Sequence, residues 1–379
     1  MRTLLFWTHL VSGVTAGSIV LVMSTTGVLL TYEKQIVAWS ERDYRTAPPS
    51  ADALRLPIDD LVARAEAARP GTVVTGVTVR TDREAPLMVA LAPSGMVFVN
   101  PYTGHVLGEG NQGVRGFFRA VTDWHRWLAT SGESRATGRA ITGAANLAFL
   151  LLVMTGAYLW IPRAWSRVSV RAVLWFRGGL AGRARDFNWH NTIGVWSVAP
   201  LFLVVASGVV MSYPWANALV YRATGNEPPA PQQRLATPPR GQRPPQADFS
   251  GLEPLIARAA AQMPGWESIS VRPPAASDGT VTLAIDRGNG TRPDKRATLV
   301  LDRSGNVVRW QPYASQNAGQ KARGWLRFIH TGEAGGLIGQ TVAGLATLGA
   351  VFLVYTGLAL ACRRFLGRKK NAAARAAAA

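Results

Sequence analysis

The chain has 379 residues, a formal net charge of +19, one cysteine, and 48% hydrophobic against 17% charged residues. A single cysteine excludes an internal disulfide and any Cys-based metal site. The basic residues flank apolar stretches and build no single soluble face, which argues against nucleic-acid binding.

Mean hydropathy is +0.08, high for so charged a chain, and the excess collects in four stretches: 10–31, 140–161, 192–213 and 337–362. Each has the roughly 20 residues that cross a hydrocarbon core of about 30 Å. None carries Asp, Glu, Lys or Arg at its centre, and each is rich in the small residues that let membrane helices pack closely. In chain order, residues 1–31 hold the N-terminus and the first membrane helix. That stretch follows only Arg2, is long for a signal h-region and has no A-x-A site behind it, so it reads as a helix that stays.

Residues 32–138 form a first soluble segment. A helical pattern over 59–68 follows Pro57, and strand alternation covers 73–79, 87–91 and 96–99, with turns at Pro93-Ser94 and Tyr102-Thr103-Gly104. A histidine-bearing stretch closes the segment. The second membrane helix takes 139–162, a basic loop 163–189 and the third helix 190–213. Residues 214–336 hold a Pro-rich linker, expected to be extended over 228–245, and a second soluble segment. There the pattern gives a helix at 252–262 and strands at 268–272, 281–286 and 297–309. The fourth membrane helix lies in 337–362 and a basic tail in 363–379.

The 163–185 loop holds six arginines and no acid, and the tail adds Arg363, Arg364, Arg368, Lys369, Lys370 and Arg375. Both belong on the cytoplasmic side, with both termini. The 32–138 segment, with twelve acids against twelve bases, belongs on the other side with 214–336.

The two halves read as a duplication. His9, Gly13, Thr26-Gly27 and Tyr32 recur as His190, Gly194, Ser207-Gly208 and Tyr213, at a constant offset of 181 (190 minus 9). Leu61, Ala63-Arg64-Ala65 and Pro70-Gly71 recur as Leu255, Ala257-Arg258-Ala259 and Pro264-Gly265, and Gly143 to Thr155-Gly156 recurs as Gly344 to Thr356-Gly357. The expected fold is a four-helix membrane bundle with two α+β soluble domains, each half being helix, soluble domain, helix.

Four of the five histidines fall at helix ends. His9 and His190 mark the cytoplasmic ends of the first and third helices, and His125 and His330 precede the second and fourth on the outer side. Two same-side pairs of imidazoles suit two haem irons with two axial histidines each, an arrangement with no open site that serves electron transfer. Gly13 and Gly194, four residues after His9 and His190, leave room for a flat macrocycle. Trp7, Trp124, Trp127 and Trp189 flank the histidines. Zinc or copper is the competing reading, but two histidines without Cys or carboxylate nearby make a poor zinc set. The outer pair aligns less cleanly: His330 precedes Gly344 by fourteen residues, His125 precedes Gly143 by eighteen. His105, whose counterpart is Asn306, reads as a turn residue.

Asp123-Trp124-His125-Arg126-Trp127-Leu128, Thr155-Gly156-Ala157-Tyr158-Leu159-Trp160-Ile161-Pro162-Arg163 and Ile329-His330-Thr331-Gly332-Glu333 resemble the PepSY-associated transmembrane helix family. The Pro101-Tyr102-Thr103-Gly104-His105-Val106 run is similar to the closing turn of a PepSY domain, so both soluble domains are expected to be PepSY-like. Without a fused reductase domain, the chain most resembles the FoxB-type inner-membrane ferrisiderophore reductases. The resemblance implies two b-type haems, ligated by His9, His190, His125 and His330, in a multi-pass protein of the bacterial inner membrane with periplasmic soluble domains. It further implies reduction of ferric iron in a siderophore of hydroxamate type, making the chain a haem-dependent oxidoreductase. Arg126, Trp127, Trp310, Tyr313, Trp325 and Arg327 are the candidate lining residues. No dinucleotide fingerprint or P-loop is present, so the electron donor would be a quinol or another protein. The alternatives are a haem-carrying subunit of a larger respiratory complex and a haem-free, membrane-anchored periplasmic binding or regulatory module.

Overall fold

The computed structural model describes residues 1–92, 95–162, 166–229, 251–272 and 279–376. The first half runs α1 (Arg2–Leu30), α2 (Glu33–Ser40), α3 (Ile58–Ala68), β1 (Val73–Arg80), β2 (Leu87–Ala92), β3 (Gly95–Val99), β4 (Val106–Gly108), α4 (Gln112–Trp127) and α5 (Arg135–Trp160). Helix α6 (Arg167–Leu174) leads to α7 (Gly182–Ser212), α8 (Pro214–Ala223) and α9 (Leu252–Gln262). Then come β5 (Ser268–Arg272), β6 (Thr280–Asp286), β7 (Arg296–Asp302), β8 (Val307–Pro312), α10 (Ala318–His330) and α11 (Gly336–Ala376). The Pro93-Ser94 turn, Arg163 and most of the 228–245 linker lie outside the described residues.

One unit comprises Met1–Glu33, Gly116–Val220 and Trp325–Ala379. Its four long helices, within Arg2–Leu30, Gly132–Trp160, Gly182–Ser212 and Glu333–Leu366, are long and apolar enough to cross a membrane. Helix α1 packs on α5 and α11, and α7 packs on the same two, closing a ring. Val153, Leu201, Ala346 and Ala350 form its core, while Leu4, Met154, Leu203 and Leu345 point outward fully or half exposed, as lipid-facing residues do. Interhelical polar bonds fasten the ends. Arg2 Nη2 donates to the Leu159 and Ile161 carbonyls at 2.7 and 2.9 Å, and Gln340 Nε2 donates to the Thr31 carbonyl at 3.1 Å.

The second unit comprises Lys34–Arg115 and Tyr221–Gly324. Its strands make one antiparallel sheet in the order β4-β3-β2-β1-β5-β6-β7-β8. The sequence reads as two separate soluble domains, but β1 pairs with β5, setting Thr78 opposite Ser270, and their hydroxyls are 2.9 Å apart. Each half thereby covers the other's exposed edge. Helices α3 and α9 bury Leu61, Ala65, Leu255 and Ala259 in the core built on this sheet. They also cap each other: Asp59 accepts from the Gly251 and Leu252 amides at 2.8 and 3.1 Å, and Glu253 accepts from the Ile58 amide at 3.0 Å. Both carboxylates thus sit at a helix N-terminus, where the dipole favours them. The 297–309 run divides into β7 and β8 at a turn where Gly305 has φ +84.

Candidate functional site

All four helix-end histidines lie in the helical unit, and the structure brings them together in the two expected pairs. The rings of His9 and His190 have centroids 6.3 Å apart and planes at 89°. The rings of His125 and His330 are also 6.3 Å apart, with planes at 61°. His9 and His190 stand on the spanning helices α1 and α7. His125 and His330 stand on the short helices α4 and α10 that precede α5 and α11, which is why their distances to the spans differ without breaking the pair. The two short helices end differently. After His330, Gly332 takes φ +73; after His125, the non-glycine residues Leu128 and Ala129 take φ +52 and +56.

Each ring rests on a hydroxyl residue followed by glycine. His9 Nδ1 lies 2.9 Å from Thr155 Oγ1, His190 Nδ1 2.9 Å from Thr356 Oγ1, and His125 Nδ1 3.0 Å from Thr26 Oγ1. His330 Nδ1 lies 2.8 Å from the Val204 carbonyl, with Ser207 Oγ at 3.4 Å. The glycine that follows keeps space for the ring. A Cβ on Gly156, Gly357, Gly27 or Gly208 would stand 3.2 to 3.4 Å from Cε1 of His9, His190, His125 or His330 respectively.

The hydrogen positions follow from the partners. The three threonine hydroxyls are bonded to their own helix carbonyls, Thr155 to Leu151 at 2.7 Å, Thr356 to Phe352 at 2.8 Å and Thr26 to Val22 at 2.7 Å. Their oxygens are therefore acceptors, and the Val204 carbonyl is an acceptor by nature. Each Nδ1 thus carries the hydrogen and donates it, which leaves each Nε2 with its lone pair for a metal. For the two rings outside the spans, protonation is disfavoured as well. Burial first, then the charge of His330, lowers His125 to about 4, and burial lowers His330. Both are neutral at pH 7, the form that ligates. No group of three or more His, Cys, Asp or Glu suited to a metal ion occurs among the described residues.

Gly13 and Gly194 behave differently from the four cradle glycines. A Cβ there would meet Leu152 and Leu353 at an ordinary 3.6 Å. Helix packing does not require a glycine at either position.

At the His125 end, Arg126 and Trp127 are brought together with arginines that the sequence did not single out. The guanidinium of Arg126 lies 4.4 Å over the Trp127 ring and that of Arg135 3.6 Å over the same ring. Arg327 sits one turn before His330 on α10. Trp325 is also on α10, whereas Trp310 and Tyr313 belong to the sheet unit, Trp310 packed partly buried against its core. Near the other pair, Arg364 lies over Phe6 and Trp7, and Arg185 over Trp189. His105 is an exposed turn residue of the sheet unit, as its pairing with Asn306 suggests.

Residues 6–364 match the model of one protein family, described as the PepSY-associated TM region. No curated protein matches the sequence.

Proposed function

The chain belongs to the PepSY-associated transmembrane family, and from that premise we propose that it is a di-haem, electron-transferring oxidoreductase of a bacterial inner membrane. His9 and His190 would hold one haem and His125 and His330 the other. One observation carries the reading: two pairs of Nδ1-tethered imidazoles, each with ring centres 6.3 Å apart. A metal about 2 Å from each Nε2, with about 1.1 Å from Nε2 to ring centre, requires roughly that separation. Two protein donors alone serve a bare ion poorly, and a porphyrin brings four more. Gly13 and Gly194, which packing leaves free to be larger, fit a flat group beside the inner pair.

Bound between two imidazoles, a haem supplies an iron that exchanges single electrons and offers no open position. The chain's own part is placement. On α1, seventeen residues separate His9 from Thr26, the partner of His125, and on α7 seventeen separate His190 from Ser207. At 1.5 Å per residue each interval is about 25 Å, most of the thickness of a bilayer. Three Thr hydroxyls and the Val204 carbonyl fix ring rotation and tautomer. Val153, Leu201 and Ala350 pack an apolar core in the same bundle.

The soluble sheet unit and the His125 end would face the periplasm and both termini the cytoplasm, from the arginine-rich 163–185 loop. Duplication of a helix, soluble part, helix unit accounts for the twofold recurrence of the cradle. Electrons would enter from a quinol or a reduced redox protein and pass one at a time to ferric iron held in a siderophore. Ferrous iron binds hard oxygen ligands less well, so reduction loosens the chelate. The test is the reduced-minus-oxidised visible spectrum of purified protein. Sharp b-type bands are expected, with about half the intensity lost in His9→Ala and in His125→Ala. A haem-free wild type from haem-replete cells would instead favour a membrane-anchored binding module.

A further inference from the structure

Four arginines gather beside the outer histidine pair, and neither histidine ring takes its Nδ1 partner from them. Arg126 follows His125 directly, and with Arg135 it shares the Trp127 indole, at 4.4 and 3.6 Å. Thr142 Oγ1, one turn beyond Arg139 on α5, donates to the Arg126 carbonyl at 2.9 Å and draws that face of α5 to the end of α4. Arg327 precedes His330, whose ring lies 6.3 Å from that of His125. All four side chains are exposed. Among the neighbouring acids, Asp123 lies 3.4 Å from Arg135, and Glu133 stands two residues before it in the chain. The charges of Arg139, Arg135 and Arg327 oppose that of Arg126, while Asp123 favours it. The charges therefore act on one another.

Four arginines brought close together repel one another, and that needs a reason. Topology does not supply it, because arginines beside membrane helices are expected on the cytoplasmic side and these lie at the opposite end of the bundle. Holding the histidines does not supply it either, since hydroxyls and a carbonyl do that. Its place beside the outer pair puts it next to the ring pair from which an electron would leave.

We propose that Arg126, Arg135, Arg139 and Arg327, with the Trp127 ring, form a docking site for a net-anionic ferric chelate of carboxylate or catecholate type. This rests on the electron-transfer reading above. It departs from the hydroxamate class that the resemblance implies. Three hydroxamates cancel the charge of Fe(III) and leave a neutral complex, or a cationic one where an amine is attached; this cluster does not attract either. Carboxylate and catecholate chelates keep negative charge, which guanidinium groups recognise through paired N–H donors. One electron passes from the reduced protein to ferric iron, giving ferrous iron, and no bond or proton moves in that step. The quinol or protein donor replaces the electron.

The experiment uses the full chain in detergent, reduced with dithionite, desalted without oxygen and mixed with ferric citrate or with a neutral ferric trihydroxamate. The Arg139→Gln/Arg327→Gln variant is compared with wild type for each chelate separately, so differences in driving force cancel. Reoxidation by ferric citrate should fall about tenfold in the variant and fall with added salt in wild type, as electrostatic steering requires. The trihydroxamate rate should change in neither case. Calorimetry with redox-inert gallium(III) citrate should show binding to wild type that the variant loses. Equal slowing with both chelates, no slowing with either, or a variant that loses only phosphatidylglycerol would overturn the site. So would a variant that loses its haem bands, since the arginines would then be holding the cofactor's carboxylates. A wild type without haem fails the electron-transfer reading itself; a reducible wild type with charge-blind kinetics fails this site alone.

Discussion

At the residue scale, the centre is built from an imidazole, a hydroxyl and a missing side chain, repeated four times. The histidines were legible because so few exist and they sit at helix ends. The hydroxyls were not. Thr26-Gly27, Thr155-Gly156, Ser207-Gly208 and Thr356-Gly357 stand out only as repeat matches, and a Thr-Gly pair in a membrane helix ordinarily reads as close packing. The available signal was their recurrence once in every span. Their role has a measurable consequence. Thr155→Val and Thr356→Val remove the Nδ1 acceptor while keeping shape, and retention of the haem that His9 and His190 would hold is expected to weaken by about 10- to 100-fold, read by haem transfer to apomyoglobin. Retention equal to wild type would deny the cradle its function. Ring planes matter too. The inner rings stand at 89°, and a ferric iron held between them would have nearly degenerate π-bonding d orbitals. Its low-spin electron paramagnetic resonance signal should be strongly anisotropic and distinct from that of the 61° pair. Two identical signals would mean that the tethers do not hold the rings.

At the element scale, the apolar stretches marked the spans well, but each helix begins or ends beyond its apolar part. Helix α1 starts at Arg2 and α7 at Gly182, ahead of the expected 10 and 192. Polar residues at the ends continue the hydrogen-bonded backbone past the lipid. Strands were legible from alternation, and 268–272 is met by β5 at both bounds. Helices α4 and α10 were read only as histidine-bearing stretches, although Val114, Phe118 and Val121 keep helical spacing on one face of α4. The pairing of β1 with β5 was not legible either, because alternation says which face is buried and nothing about the neighbour at an edge. The cross-capping of α3 and α9 makes this join testable. Asp59→Ala and Glu253→Ala should each lower stability by about 1 kcal/mol, measured by urea unfolding of the full chain followed through tryptophan fluorescence. Losses near zero in both would mean that the caps are replaced by water at no cost.

At the scale of the whole molecule, the repeat is what turns four scattered histidines into two centres. Each half supplies one ring to each pair. His9 and His125 come from the first half, His190 and His330 from the second. A half chain therefore has one histidine of each pair and completes neither. The count of centres follows from that geometry, and it is also where the sequence was most informative, since the 181-residue offset relates His9 to His190 before any contact is known. What the sequence left open was whether His125 and His330, at unequal distances from their spans, would meet; the short helices α4 and α10 absorb that difference.

The most direct measurement is a pyridine haemochrome count on the purified chain from haem-replete cells, set against protein mass. About two b-type haems per chain are expected from two bis-histidine pairs, with about one in His190→Ala and about one in His330→Ala. A wild type with none, or histidine variants that keep the full complement, would contradict the assignment of these four residues as ligands.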